Sequence, residues 1–282
     1  MKVWGIQRLA WGVLAASLVA TAAAAVEPGY PVPHQIGFQQ PVTEVAEYIV
    51  WFHNWILMPI ITLISLFVLG LIIYTVRRFD EKVNPIPSKT THNTLIEVVW
   101  TIAPVIILVI IAVPSFKLLY YEAAIPKPDV KIRAIGKQWF WTYEYPASRF
   151  GFDSVILSDD DAKKAGEPRL LGVDHVVVVP VNKVIEVETT GADVIHSWSL
   201  PEMGVKMDAI PGRLNHTWFK ATRTGTFYGQ CSELCGAKHA FMPIEVKVVT
   251  DAEYAAWLAA AKKNTGVYSP IADAADTRLA AQ

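Results

Sequence analysis

Charged residues are scarce in this chain of 282 residues: they make up 18% of it, against 52% hydrophobic residues. The mean hydropathy of +0.31 is too high for a wholly water-soluble protein and too low for a bundle of membrane helices alone. The net charge is −1 and no run of Lys and Arg resembles those that bind phosphate backbones, so we expect no nucleic-acid partner. The composition predicts a few membrane spans and one domain that faces water.

Lys and Arg are absent from residues 26–75, and this absence sets the predicted topology. Residues 50–76 and 95–121 are apolar, and each segment exceeds the roughly 20 residues that a helix needs to cross a bilayer. The loop between them carries four basic residues, which are Arg77, Arg78, Lys82 and Lys89. The positive-inside rule therefore predicts a two-span protein of the bacterial inner membrane, with a cytoplasmic loop and both ends in the periplasm.

The N-terminal residues have the pattern of a secretory signal peptide. Lys2 and Arg8 accompany an apolar stretch over residues 9–20, and the alanines of residues 22–25 offer a cleavage site. An uncleaved anchor is the alternative, but the apolar stretch is short and a polar, Pro-rich segment follows it. We expect residues 1–25 to be a signal peptide.

Residues beyond the second span have the pattern of an all-β domain. Short β-rich runs alternate with Gly and Pro turns, which favours a sandwich or barrel. The predicted strands cover residues 130–135, 139–145, 175–179, 184–188, 216–220 and 244–249. Asp251 is expected to cap a short helix over residues 252–262. The predicted divisions are a signal peptide (1–25), a periplasmic segment with a two-helix transmembrane hairpin (26–122), a periplasmic β-sandwich (123–268) and a polar tail (269–282).

Candidate metal ligands concentrate around the only two cysteines of the chain, Cys231 and Cys235. His239 and Met242 follow within the same twelve-residue segment, and His196 lies upstream of it. Thiolate and thioether sulfurs together with imidazole favour copper over hard cations. This combination of residue types predicts a copper site.

Three alternatives use only part of this set. Two cysteines outside the cytoplasm commonly form a disulfide, which leaves the histidines and Met242 unexplained. Zinc would accept two Cys and two His but leaves Met242 unused. A type 1 copper site leaves one cysteine unused. If both thiolates bridge two coppers, one metal would take one histidine and Met242, and the other would take the second histidine and the backbone carbonyl of Glu233.

Five segments together resemble subunit II of haem–copper cytochrome c oxidases, of the copper-containing bacterial aa3 type. They are residues 95–104, 138–146, 194–198, 208–215 and 229–235. The resemblance implies a cupredoxin-like sandwich holding the dinuclear copper centre called CuA. It maps the copper ligands onto His196, Cys231, Cys235, His239 and Met242, with the carbonyl of Glu233.

The same resemblance implies roles for three further side chains. The carboxylate of Glu233 would reach a magnesium (or manganese) ion at the boundary with subunit I. Glu97, near the cytoplasmic end of the second span, would lie at the mouth of a proton path into subunit I, although the sequence alone equally allows an acid in interfacial water. Trp139 would receive the electron from cytochrome c, whereas Trp141, predicted on the same face of one strand, would be a packing residue.

The resemblance also implies the partners. A basic cytochrome c would dock on surface acids, for which the candidates are Glu144, Asp153, Asp174 and Asp193, although surface acids commonly serve solvation alone. The chain has no C-x-x-C-H motif and no set of intramembrane histidines that could hold haem. Oxygen reduction and proton pumping are therefore expected in subunit I, with subunit III and membrane lipid as further neighbours. A nitrous oxide reductase would share the copper loop but is soluble, and a quinol-oxidase subunit would lack the cysteines.

Overall fold

The structure is a computed structural model that describes residues 29–264 and 269–270. The signal peptide predicted over residues 1–25 lies outside the described residues, as does nearly all of the predicted tail. The described part begins with two long apolar helices and continues as a β-sandwich. This architecture confirms the fold class predicted from the sequence.

Two helical stretches have the length and composition of membrane spans. The first consists of α1 (Glu44–Phe52), a π-helical turn (His53–Leu57) and α2 (Met58–Arg78). The second is α3 (Thr94–Ala123), which continues through Pro104 and Pro114. Their most apolar windows have no buried residues within the chain. In a membrane these side chains would face lipid or other helices, which also makes the two prolines tolerable.

Strands and two short helices make up the domain beyond α3. The strands are β1 (Val130–Lys137), β2 (Phe140–Tyr145), β3 (Phe150–Ser154), β4 (Val177–Pro180), β5 (Ile185–Gly191), β6 (His196–Leu200), β7 (Val205–Ala209), β8 (Asn215–Phe219), β9 (Gly225–Gln230), β10 (Pro243–Val249) and β11 (Ser269–Pro270). The helices are α4 (Asp159–Ala165) and α5 (Asp251–Lys263). One sheet has the order β11-β3-β2-β1-β5-β8, the second has the order β4-β10-β9, and β6 and β7 form a ribbon.

The core lies between the sheets and follows from alternation along the strands. In β1 the side chains of Ile132 and Ala134 are buried, whereas Lys131 and Arg133 point away from the core. The sequence patterns that predicted β1, β2, β4, β5, β8 and β10 therefore correspond to real strands. The cap of α5 differs from the prediction: Thr250 is the N-cap residue because its hydroxyl accepts the N–H of Glu253.

The outer face of β1 and β5 carries an ion-pair network. Its pairs are Lys131–Glu186 (2.8 Å), Arg133–Glu188 (3.0 Å) and Arg133–Glu144 (3.0 Å). His216 on β8 also contacts Glu186, with Nδ1 at 3.0 Å from the carboxylate. Glu186, Glu188 and His216 lie close enough to hold a cation. Lys131 and Arg133 already neutralise the two carboxylates, so this cluster is a structural network.

The segment before α1 packs on the sandwich. Val42 is fully buried in the core, and its N–H donates to the carbonyl of Glu202 at 2.8 Å. The hydroxyl of Thr43 donates to the carbonyl of Met203 at 2.8 Å. At the other end of the hairpin, the indole N–H of Trp218 donates to the carbonyl of Glu122 at 3.0 Å. Both helical stretches are thus tied to the domain by hydrogen bonds.

Candidate metal centre

The candidate ligands meet where three strands end. Cys231 directly follows β9 and Met242 directly precedes β10, and these two strands pair antiparallel with Pro243 opposite Gln230. The loop between them is therefore closed at its base. His196 opens β6, which lies beside this loop: the N–H of Ser232 donates to the carbonyl of Ser197 at 3.0 Å. This contact brings His196 beside Cys231, which is 35 positions away in the sequence.

Four donor groups surround the two thiol sulfurs, which are themselves neighbours. The distances are Cys231 Sγ–Cys235 Sγ 3.9 Å, Cys231 Sγ–His196 Nδ1 3.9 Å, Cys231 Sγ–Glu233 O 3.4 Å, Cys235 Sγ–His239 Nδ1 3.5 Å and Cys235 Sγ–Met242 Sδ 3.5 Å. Each imidazole thus presents Nδ1 to one sulfur. The arrangement brings together every ligand that the sequence predicted for copper.

The geometry and burial of these groups suit a soft metal. His196, Cys231 and Cys235 are buried and their ligand atoms all lie within 4.8 Å of one another, which makes them a possible metal site consistent with CuA. The sulfurs are 3.9 Å apart, well beyond the ~2 Å of a disulfide bond. Both cysteines are free thiols. Met242 is also buried and its sulfur is directed at the thiols, a contact that a zinc site would not need.

The two thiols differ in acidity. Burial would raise the pKa of Cys231, but the His196 ring and backbone hydrogen bonds outweigh burial and lower it to about 7. Burial and the adjacent Cys231 raise the pKa of Cys235 to about 12. The order of the two pKa values favours Cys231 as the first thiol to lose its proton, and a metal ion bound by both sulfurs would displace both protons. This is the behaviour expected of a pair that both become thiolates on metal binding.

The ring of His196 is held from two sides. Asp193 Oδ1 lies 2.8 Å from Nε2, which leaves Nδ1 facing Cys231, and a carboxylate on the far nitrogen is typical of metal-binding histidines. On the other side, Gly136 leaves space: a Cβ there would lie 2.7 Å from the ring carbons. Burial lowers the pKa of His196, yet Cys231 and Asp193 outweigh it and the net shift is upward.

One of the two tryptophans lies outside the predicted strand, and the other is buried in it as predicted. β2 begins at Phe140, and Trp139 lies in the turn between β1 and β2. The prediction that both indoles share one face of a strand is therefore wrong. Trp139 is partly exposed, and its Nε1–H donates to the carbonyl of Cys235 at 3.3 Å. Trp141 is fully buried, donates to the carbonyl of Met242 at 3.3 Å, and meets the His196 ring edge-on.

The four candidate docking acids all have partners within the chain. Glu144 pairs with Arg133, the Thr142 hydroxyl donates to Asp153 at 2.5 Å, the N–H of Val155 donates to Asp174 at 2.7 Å, and Asp193 holds His196. Asp153, Asp174 and Asp193 are nevertheless exposed, and Glu144 is half-buried. Their docking role stays a prediction.

The remaining predicted residues lie at the edge of the site or far from it. The side chain of Glu233 is exposed, while its carbonyl faces Cys231. Glu97 lies in the first turn of α3, where its carboxylate accepts the N–H of Asn93 at 3.1 Å. The structure therefore gives Glu97 a local contact at the helix start and does not bring it to the metal centre.

Sequence reasoning missed two side-chain contacts at the site. Asp193 was singled out as a docking acid, and its contact with His196 depends on the turn before β6. Gln138 was not singled out at all, although its amide donates to the carbonyl of Cys235 at 2.8 Å. Its only sequence signal is its place next to Trp139.

A β-sandwich with soft metal donors at one end, attached to two apolar helices, is the architecture expected of a membrane-anchored metalloprotein. Family models match both parts: "Cytochrome C oxidase subunit II, transmembrane domain" matches residues 31–118, and "Cytochrome C oxidase subunit II, periplasmic domain" matches residues 130–249. The chain belongs to the cytochrome c oxidase subunit II family, which confirms the resemblance seen in the sequence.

Individual relatives agree with this family. The chain is 45% identical over 276 residues to cytochrome c oxidase subunit 2 of Cereibacter sphaeroides, covering 90% of this chain and 91% of that protein. It is 47% identical over 234 residues to a probable cytochrome c oxidase subunit 2 of Rickettsia conorii, covering 83% and 74%. Among solved structures, the periplasmic domain of subunit II of cytochrome oxidase of Bradyrhizobium japonicum is 60% identical, covers 50% of this chain and 99% of that chain, and has a TM-score of 0.47.

Proposed function

We propose that this chain is the electron-entry subunit of a respiratory cytochrome c oxidase. It accepts electrons from cytochrome c at a dinuclear copper centre and passes them to the haem centres of subunit I, where oxygen is reduced to water with proton pumping. The observation that carries the proposal is the convergence of two thiols, two imidazoles, a thioether and a carbonyl on one end of the sandwich. They occur in a chain whose membrane and periplasmic parts both match one family.

The copper pair would be held by His196, Cys231, Cys235, His239 and Met242, with the carbonyl of Glu233. When bound, it would supply a one-electron redox centre. The chain contributes a closed loop between two paired strands and a buried His196 whose ring is already oriented. Because these donors are fixed by the sandwich, little of the site has to rearrange when its charge changes.

Trp139 would be the entry point for the electron. Its indole is partly exposed at the rim, and one hydrogen bond joins it to the carbonyl of Cys235. The path from the protein surface to the Cys235 residue is therefore one hydrogen bond long. The exposed carboxylates of Asp153, Asp174 and Asp193, with Glu144 nearby, would attract a basic cytochrome c to this end of the domain.

Glu233 and Glu97 would serve subunit I. The Glu233 carboxylate is exposed while its carbonyl faces Cys231, so one residue can offer oxygen to a hard ion and to copper. Carboxylate oxygen suits magnesium or manganese. Glu97 would open a proton path from the cytoplasmic side, since the basic loop between the helices would lie in the cytoplasm of a bacterial inner-membrane protein. The apolar outer faces of α2 and α3 would contact subunit I and lipid, with subunit III in the same complex.

Stopped-flow mixing of the assembled oxidase with reduced cytochrome c tests the proposal. The unmodified complex should oxidise cytochrome c rapidly and then reduce the haems of subunit I. Cys231→Ser should abolish this fast phase, while a small artificial reductant still reaches the haems. Ser232→Ala is the matched control, because that hydroxyl contacts only the carbonyl of Gln230 in the described residues. Fast oxidation of cytochrome c by the Cys231→Ser complex would contradict the proposal.

A further inference from the structure

The carbonyl oxygen of Cys235 accepts two side-chain hydrogen bonds from one turn. The amide of Gln138 donates to it at 2.8 Å, and the indole N–H of Trp139 donates to it at 3.3 Å. Gln138 and Trp139 form the turn between β1 and β2, about a hundred residues before the cysteine. Of these two contacts the Gln138 bond is the shorter, and its donor is an uncharged polar group without a role in the proposed function.

Glycine at residue 236 suits this close approach of the metal loop to the turn. Gly236 has φ +125°, a conformation that favours glycine, and a Cβ on it would lie 3.0 Å from both Gln138 Nε2 and Trp139 Cζ2. The peptide that follows Cys235 therefore lies directly against the side chains of the turn. Both the metal loop and the turn between β1 and β2 therefore contribute to this contact.

The backbone of Gln138 is held from the side of the site that contains His196. Its backbone N–H donates to Asp193 Oδ2 at 2.7 Å, and Asp193 Oδ1 contacts Nε2 of His196 at 2.8 Å. Gln138 thus connects two candidate ligands: its side chain reaches the carbonyl of Cys235, and its main chain reaches His196 through one carboxylate.

We propose that Gln138 is a positioning residue of the metal centre, which holds the Cys235 peptide against the Trp139 turn and directs a hydrogen-bond donor at it. This inference rests on the proposed function. The amide N–H groups carry partial positive charge toward Cys235, so they favour the electron-rich, reduced form of a centre that includes its sulfur. Loss of these N–H donors should lower the reduction potential of the copper centre and leave the Trp139 side chain less firmly held.

The test compares Gln138→Leu with the unmodified assembled oxidase. Leucine keeps the bulk of the side chain but has no donor, and one hydrogen bond of ~1 kcal/mol corresponds to about a fivefold change in an equilibrium constant. The donor interacts with both redox states, and only the difference between them counts. At a fixed ambient potential, the ratio of reduced to oxidised copper should therefore fall, by at most about fivefold. The copper paramagnetic spectrum should shift while the copper content stays the same. Gln230→Leu is the matched control, since it makes the same change at an exposed position beside Cys231.

A second variant covers the case in which Gln138→Leu does not assemble. Gln138→Glu keeps the size and the backbone bond to Asp193 but places a carboxylate against the Cys235 carbonyl, so the fall in the reduced-to-oxidised ratio should be larger. The inference is overturned if an assembled Gln138 variant matches Gln230→Leu in both spectrum and reduced-to-oxidised ratio. It is equally overturned if only the association rate with cytochrome c changes. An absence of the copper spectrum from the unmodified complex would instead refute the proposed function.

Discussion

The indole of Trp141 lies beneath the metal-centre donors, with its Nε1–H bonded to the carbonyl of Met242 at 3.3 Å and its ring edge-on to His196. Trp139, two residues earlier, instead lies on the rim of the same centre, where its indole is bonded to the carbonyl of Cys235. The two tryptophans therefore approach the ligand loop from the core and from the surface, and they should fail in different ways when they are replaced.

The first prediction separates these two roles. Trp139→Ala should leave the association with reduced cytochrome c nearly unchanged and greatly slow electron transfer within the complex, because it removes the exposed end of the path. Trp141→Ala should instead cost ~3–5 kcal/mol of folding stability, the usual cost of truncating a buried tryptophan. Transient kinetics across a salt series, together with thermal unfolding, distinguish the two.

Asp153→Asn provides the control for docking. It removes an exposed charge, so it should slow association and flatten the salt dependence without affecting transfer in the bound complex. If Trp141→Ala folds normally and fails in transfer while Trp139→Ala transfers normally, the assignment of the two residues is reversed.

The second prediction concerns the two functions of Glu233. Glu233→Gln keeps the backbone carbonyl near Cys231 and removes the carboxylate charge that would hold the hard cation. Magnesium or manganese should be depleted from the purified complex, while copper stays at its normal content. Metal analysis of the complex measures both. Loss of copper with retention of the hard cation would refute this division of roles.

The third prediction concerns Glu97. Glu97→Gln keeps an oxygen that can accept the N–H of Asn93 and so preserves the start of α3, but it cannot carry a proton as a carboxylate does. Turnover should fall, while electron transfer from cytochrome c to copper stays nearly intact. Asn93→Ala is the control, since it disturbs the helix start and leaves the acid in place. Steady-state turnover of Glu97→Gln equal to that of the unmodified complex would reduce Glu97 to a helix-capping residue.

The fourth prediction is a pH dependence that originates away from the metal centre. Burial raises the pKa of Glu245 in β10 to about 7, and the hydrogen bond from the N–H of Val173 only partly offsets it. Between the pKa of the unfolded chain, near 4.5, and the folded value, the folded state binds a proton that the unfolded state does not. Stability should therefore fall as pH rises through this window.

Glu245→Gln removes that dependence. The amide oxygen can still accept from Val173, so the variant should be more stable than the unmodified chain at pH 8, by on the order of 2 kcal/mol, and nearly equal to it at pH 4. Thermal unfolding of the detergent-solubilised complex at several pH values provides the comparison. An equal shift in stability at both ends of the range would show that Glu245 does not titrate in this way.

Short runs rich in β-forming residues predicted β1, β2, β4, β5, β8 and β10, but they did not predict β3, β6, β7, β9 and the two-residue β11. The sequence of β9 contains glycine at positions 225 and 229, and β6 and β7 are short and mix polar with apolar residues. Such strands exist because neighbouring strands pair with them, and single-sequence propensity does not carry that information. The missed strands β6 and β9 deliver His196 and Cys231 to the site.

The candidate ligands themselves were predictable because four of them lie within twelve residues and share a preference for soft metals. The contacts that orient them were not predictable. The Asp193–His196 contact depends on the geometry of the turn between β5 and β6. The Gln138–Cys235 contact depends on how the two sheets pack. The aromatic alternation of the sequence continues through Trp139, whereas the strand begins one residue later.

Paramagnetic resonance of the purified complex, combined with copper analysis, tests the central claim most directly. The claim is that Cys231 and Cys235 both belong to one dinuclear copper centre. It predicts two bound coppers at this site for each chain and a spectrum split by two equivalent copper nuclei. It also predicts the loss of that spectrum in Cys231→Ser and in Cys235→Ser alike, since each thiolate serves both metals. A single copper per site with the splitting of one nucleus, or the survival of the spectrum in either variant, would contradict it.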